Sequence, residues 1–140
     1  MTALHFAVQN PRGEGEGIVM RLLAHPKIDV NRKDATGRSA LHIAIESWGS
    51  PRSLRASLVP PILQQLLKHQ DINVNIFDNT GASPLMLAAR EGYTGIVKKL
   101  LTRPEIEINI ENKYGRTALD LAKRYSRKDT AKLLEAAGAF

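Results

Sequence analysis

This chain repeats itself, and that constrains its fold more than anything else in the sequence. Four segments align: Thr2-Ala3-Leu4-His5-Phe6-Ala7, Ser39-Ala40-Leu41-His42-Ile43-Ala44, Ser83-Pro84-Leu85-Met86-Leu87-Ala88 and Thr117-Ala118-Leu119-Asp120-Leu121-Ala122. They begin 37, 44 and 34 residues apart. A leucine pair follows each of the first three, at Leu22-Leu23, Leu66-Leu67 and Leu100-Leu101, and Leu134-Glu135 takes its place in the last. The pair lies 20, 27, 17 and 17 residues after the hydroxyl residue, so the first two copies carry insertions of 3 and 10; without them the period is 34 throughout. A third landmark, Val30-Asn31, Val74-Asn75 and Ile108-Asn109, starts eight residues after the first leucine of its pair. Turn-forming runs Asp34-Ala35-Thr36-Gly37, Asp78-Asn79-Thr80-Gly81 and Asn112-Lys113-Tyr114-Gly115 close the unit. So short a unit cannot bury its apolar stripes alone and must stack on its neighbours.

The residues inside the unit dictate its local structure. Ser83 and Thr117 offer a hydroxyl to the orphan amides of a helix start, and Pro84 fits the first helical position, where its missing N–H costs nothing. Leu85, Ala88 and Ala89 fall at i, i+3 and i+4, and the alanines let a second helix come close. Ile96, Val97, Leu100 and Leu101 make the stripe of a second, outer helix, with Lys98 and Lys99 on its wet side. Pro26 and Pro104 follow the leucine pairs and discourage continuation, with Gln70 at the corresponding place in the second copy. Val-Asn before Asp-x-x-Gly predicts extended chain entering a tight turn at Gly37, Gly81 and Gly115.

These motifs resemble the ankyrin repeat, whose unit of about 33 residues is a β-turn followed by two helices and carries T-P-L-H-x-A. The most faithful copy runs from Asp78 to Asn109. The resemblance implies an all-α repeat fold, a solenoid of helix-turn-helix units with projecting β-turn or hairpin loops. One domain is expected over 1–140, with repeats roughly at 1–33, 34–77, 78–111 and 112–140 and insertions near 10–17 and 47–61. Departures are visible. An extra residue and no glycine follow the leucine pairs, Met86 and Asp120 replace the motif histidine, and Asn112 replaces the turn aspartate. Lys128, Asp129, Thr130, Ala131, Lys132 and Glu135 put small or charged residues on the last outer helix, as a capping unit requires. Leu4, Phe6, Ile18 and Leu22 keep the first unit apolar, and no turn precedes Thr2, which suggests a piece of a longer repeat protein.

Composition narrows the chemistry. With no cysteine among 140 residues, disulfides, thiolate nucleophiles and Cys-based zinc sites are excluded. No apolar run approaches the 18 or so residues of a membrane span, and an intracellular location, cytoplasmic or nuclear, is the expectation. The four histidines fall at two pairs of equivalent positions, His5 with His42 and His25 with His69. Stacked helices lie roughly 10 Å apart, too far for successive copies to share one ion, so no metal site and no cofactor are expected. The resemblance instead implies that motif histidines hydrogen-bond turn groups. Gly13-Glu14-Gly15-Glu16-Gly17 lacks the lysine and the preceding strand of a phosphate loop. No G-x-S-x-G elbow is present, so no catalytic residue is expected.

Function is left to the positions the repeat does not use. The family resemblance places a concave groove for protein partners at the turn tips and inner helices, which maps here to Lys33, Arg38, Glu46, Phe77, Asn79, Arg90, Lys113, Tyr114, Arg116, Arg124 and Tyr125. Tyr and Arg are enriched at interface hot spots, which makes Tyr114 and Phe77 the preferred anchors. Phe77 also has a second reading, as a plug beneath its own loop. In the longer insertion, Trp48 either adds a partner contact or covers Leu54 and Leu58, and Arg52 and Arg55 add charge. Lys and Arg exceed Asp and Glu by 6 overall, and by 4 within residues 113–140 alone. That excess reads first as a solvated capping face and next as attraction for an acidic protein partner, with a basic module docking nucleic acid or another polyanion as the alternative function and an accessory domain of a larger enzyme as the third reading.

Overall fold

Short apolar stripes led by a hydroxyl residue or a proline, and ended near a glycine or proline, should give short helices. In the computed structural model, which describes residues 1–10, 14–49 and 57–140, the described residues form eight helices and no strand. These are α1 (Ala3–Gln9), α2 (Gly15–Leu23), α3 (Ala40–Glu46), α4 (Pro61–Lys68), α5 (Pro84–Glu91), α6 (Thr94–Leu101), α7 (Ala118–Arg124) and α8 (Lys128–Ala136). Gly13, Arg52, Leu54 and Arg55 lie outside the described residues.

Hydroxyls set where the odd-numbered helices begin. Thr2, Ser39, Ser83 and Thr117 stand at the N-cap in extended backbone, φ −99 to −86°. Thr2, Ser83 and Thr117 accept from the amides of His5, Met86 and Asp120. In three of the four starts the third helical residue returns the bond: His5 Nδ1, His42 Nδ1 and Asp120 Oδ2 accept the cap residue's own N–H at 3.0, 3.2 and 2.9 Å. Such reciprocal caps satisfy two orphan donors at once. Met86 has no suitable acceptor, and there Pro84 at the first position supplies the fixed φ instead.

The odd-numbered helices pack on one another in chain order, α1 on α3, α3 on α5 and α5 on α7. Each also packs on the outer helix that follows it. Leu66, Leu100 and Leu134, first members of the leucine landmarks, take matching places along the outer row and are fully buried with Leu41, Ile45, Leu85 and Ile96. The all-helical repeat read from the period is what the molecule builds.

Three ladders tie each unit to the next. His5 and His42, whose Nδ1 atoms face the cap, donate from Nε2 to the carbonyls of Arg38 (3.2 Å) and Ala82 (2.9 Å) in the following unit. Asn31 Nδ2 donates to the Asp71 carbonyl at 2.7 Å, and its Oδ1 accepts from Asn73 N–H at 2.8 Å. Asn75 treats Glu105 and Glu107 the same way, and Asn109 treats Gly138 and Phe140 so. At the turns, the Asn79 and Lys113 amides donate to the Thr36 and Thr80 carbonyls, both at 3.1 Å. These last bonds need close approach. A Cβ on Gly37 would come within 2.7 Å of the Asn79 nitrogen, and Gly37 holds φ +77°, so glycine is required twice over.

Both described edges of the long insertion fold back onto the third unit. The Tyr93 hydroxyl donates to the Gly49 carbonyl. The Ser57 and Leu58 carbonyls approach Gly95 so closely that a Cβ there would meet them at 2.3 and 2.6 Å.

Candidate functional site

Each turn is braced by one side chain at its start. Asp34 Oδ1 accepts from the Thr36 amide (2.8 Å), the Thr36 hydroxyl (2.7 Å) and the Arg38 amide (3.0 Å), and Asp78 does the same with Thr80 and Ala82. Burial alone would raise the Asp34 carboxyl. The bonds from Thr36 and Arg38 and the nearby guanidinium outweigh it and hold the group far below the usual carboxylate range. Asn112 keeps the two amide bonds, to Tyr114 and Arg116 (2.9 and 3.1 Å), without the charge. Two places on, where the earlier turns carry Thr36 and Thr80, Tyr114 stands with 72% of its surface exposed.

Two inner helices and this last turn enclose a hollow of about 370 Å³. Its floor includes Met86, Leu87 and Leu121, and its rim carries Arg90, Tyr114, Arg116, Arg124 and Tyr125. Three arginines and no acidic side chain line it. Arg90 Nε is engaged by Glu91 at 2.8 Å; Arg116 and Arg124 make no ion pair among the described residues. The site thus combines apolar floor, aromatic wall and unneutralised positive charge.

The remaining candidates lie elsewhere. Arg38 bonds Asp34 Oδ2 at 3.1 Å and Glu46 Oε2 at 2.8 Å, so this Arg–Glu pair is neutralised within the second unit. Asn79 Nδ2 donates to the Ala35 carbonyl (3.3 Å), which makes it part of the turn ladder. Lys33 is exposed and lines a separate hollow with Met1, Arg32 and Asp34. Lys113 is exposed next to Tyr114, Phe77 is half-buried and is not among the residues lining the arginine hollow, and Trp48 is half-buried against the core while Leu58 stays exposed. Arg127, which belongs to the cationic C-terminal stretch, donates to the Arg90 carbonyl at 2.9 Å and packs over Gly92.

The sequence reading assigned no site role to Met86, Leu87 and Leu121, which line this hollow. The available signal was that these positions sit on the same helical face as Arg90, Arg124 and Tyr125. All four histidines serve the backbone: His25 and His69 Nδ1 accept from the amides of Lys27 and Asp71, both at 3.2 Å. Among the described residues no three His, Asp or Glu side chains converge as a metal site would need, and no helix is long and apolar enough to cross a membrane.

A family model described as ankyrin repeats (3 copies) matches residues 56–139, a span that contains α4 to α8. No curated protein matches the chain.

Proposed function

The chain belongs to the ankyrin repeat family, whose members are generally protein-interaction modules, and on that premise we propose that it is a non-catalytic module that grips an acidic segment of a partner protein in the hollow between α5, α7 and the last turn. The observation that supports this most is the lining itself: three arginines, two tyrosines and an apolar floor with no carboxylate. Such a surface accepts an aliphatic or aromatic side chain on the floor while Arg116 and Arg124 meet flanking carboxylates. Tyr114 is the preferred anchor because it is exposed and stands on a turn braced from beneath by Asn112. Phe77, Lys33, Asn79, Lys113 and the Arg38–Glu46 pair extend the surface toward the first units, and Trp48 supplies a contact at the far end of the helices.

A peptide library displayed on phage and panned on the chain tests the reading. Recovered peptides should carry Asp or Glu around one large apolar residue, and Tyr114→Ala or Arg124→Ala should weaken them while leaving the fold intact. Peptides that bind equally well to the doubly altered chain would place recognition elsewhere. The same acid-free lining supports a second reading, a polyanion dock. In that case affinity should fall steeply with salt and depend on Arg124 and Lys128 while ignoring Tyr114.

A further inference from the structure

The second and fourth units carry an arginine at the same register position, and the two are neutralised differently. In the second unit Arg38 meets two carboxylates: its Nε and Nη2 donate to Asp34 Oδ2 at 3.2 and 3.1 Å, and its Nη1 donates to Glu46 Oε2 at 2.8 Å. Arg116 is its counterpart in the fourth unit, and both acids are exchanged there. Asn112 stands where Asp34 does, and Arg124 stands where Glu46 does. The first change removes a charge; the second reverses one.

No nearby acid makes up for the loss. Asp120, four residues before Arg124, has its Oδ2 taken by the amide and hydroxyl of Thr117 at 2.9 and 3.0 Å. Neither Arg116 nor Arg124 has an ion pair among the described residues. The Arg38–Glu46 contact shows that side chains at these two register positions converge on one point. Two guanidiniums aimed at that point call for one anion with more than a single charge, and a phosphate monoester supplies close to two charges and three acceptor oxygens. A carboxylate supplies one charge and one fork.

Beside the arginines lies the apolar part of the same hollow, with Met86 and the half-buried Leu121 next to Tyr114 and Tyr125. Aspartate and glutamate carry their charge on one or two methylenes and leave such a floor empty. A phosphorylated tyrosine joins a ring to a dianion in one side chain, so the ring covers the floor, with a sulfur–aromatic contact to Met86, while the phosphate reaches the arginines.

We infer that the hollow between α5, α7 and the last turn binds a phosphotyrosine side chain of a partner protein, with its phosphate bridging Arg116 and Arg124. This rests on the reading of the hollow as the site for an acidic segment and names the residue that fills it.

The test measures fluorescence anisotropy of labelled peptide pools on the intact chain, with randomised flanks around a fixed central phosphotyrosine, tyrosine, phosphoserine or glutamate. The phosphotyrosine pool should bind at least about tenfold more tightly than each of the others. Arg124→Glu, which rebuilds beside Arg116 the pairing that Arg38 has with Glu46, should erase that advantage without lowering the urea midpoint, and Arg116→Gln should erase it as well. Phosphotyrosine binding no better than tyrosine, with the glutamate pool still weakened by Arg124→Glu, overturns this inference and leaves the acidic-segment reading standing. Pools that bind but ignore both changes, or no binding by any pool, take down both. A phosphoserine pool that binds as tightly as the phosphotyrosine pool shows that the floor takes no ring, and oligothymidylate that displaces the phosphotyrosine pool at equal phosphate concentration gives the arginines to nucleic acid; either result overturns the inference.

Discussion

At the register position where the second and third units carry the buried Ile62 and Ile96, the first unit carries Ile18 and the last carries Thr130. The isoleucine is 45% exposed and the threonine 1%. Residue type alone would rank them the other way. The outer helix α6 packs on α8 and covers Thr130, and among the described residues no earlier outer helix packs on α2. One register position therefore carries very different energies at the two ends, because stability is close to a sum of nearest-neighbour terms.

The sharpest way to break this comparison is to truncate the same residue type at both places. Ile96→Ala should cost roughly 2–5 kcal/mol by urea denaturation, the usual toll of an emptied core site, whereas Ile18→Ala should cost less than about 1 kcal/mol. Equal losses would mean that the first unit is not an open end.

Next in size is a pH effect that separates the second unit from the fourth. Burial pushes the His42 imidazole below its ordinary value, outweighing its bond to the Ala82 carbonyl and the nearby Asp78 and Glu46. The folded state therefore holds this histidine neutral while the unfolded chain protonates near pH 6.5. Stability is complete above that pH and falls as the solution is acidified through and below it, by at most about 1.4 kcal/mol per pH unit. Urea titrations at pH 7.5 and 5.5 should show the loss, and His42→Gln should flatten it. In the fourth unit Asp120 stands in place of this histidine. Asp34 and Asp78, both held low by their turns, add a separate loss only below about pH 4.

Thr130 supplies the third test. Its hydroxyl is buried with no hydrogen-bond partner among the described residues. Thr130→Val keeps the shape, removes the unsatisfied group and should raise stability by about 1 kcal/mol in thermal or urea unfolding. A loss instead would show that the hydroxyl is satisfied in solution. The smallest effect is expected at the outer skin of the cap: Lys123 Nζ meets Glu135 Oε1 at 2.9 Å with both side chains about half exposed. Lys123→Gln should change stability by no more than about 0.5 kcal/mol, and by nothing measurable in molar salt.

Much of this was legible before any coordinates. The spacing of Ser83, Leu100 and Ile108 predicts helix, helix and loop, and the structure places them so. The hydroxyl caps, the role of Pro84 and the wet faces at Lys98 and Lys99 follow from local rules that need only a few neighbouring residues. The candidate site was legible in part. Arg90, Tyr114, Arg116, Arg124 and Tyr125 lie together around one hollow. Arg38 and Glu46 instead satisfy each other, and Asn79 is spent on the turn before it. A turn tip looks alike in every copy on paper, and whether its charge is free depends on side chains that arrive from other segments.

Period, caps and turns are local properties, written in residues a few places apart and enforced by sterics and short-range hydrogen bonds, so the order of residues alone determined that this protein is a stack of helix pairs. Which asparagine clamps which backbone, which arginines stay unneutralised, and which isoleucine is dry were decided only by the tertiary structure. Those outcomes depend on groups about 30 to 44 residues apart being brought within 3 Å of one another, as Asn75 with Glu105 and Tyr93 with Gly49 are, and desolvation belongs to that assembled neighbourhood.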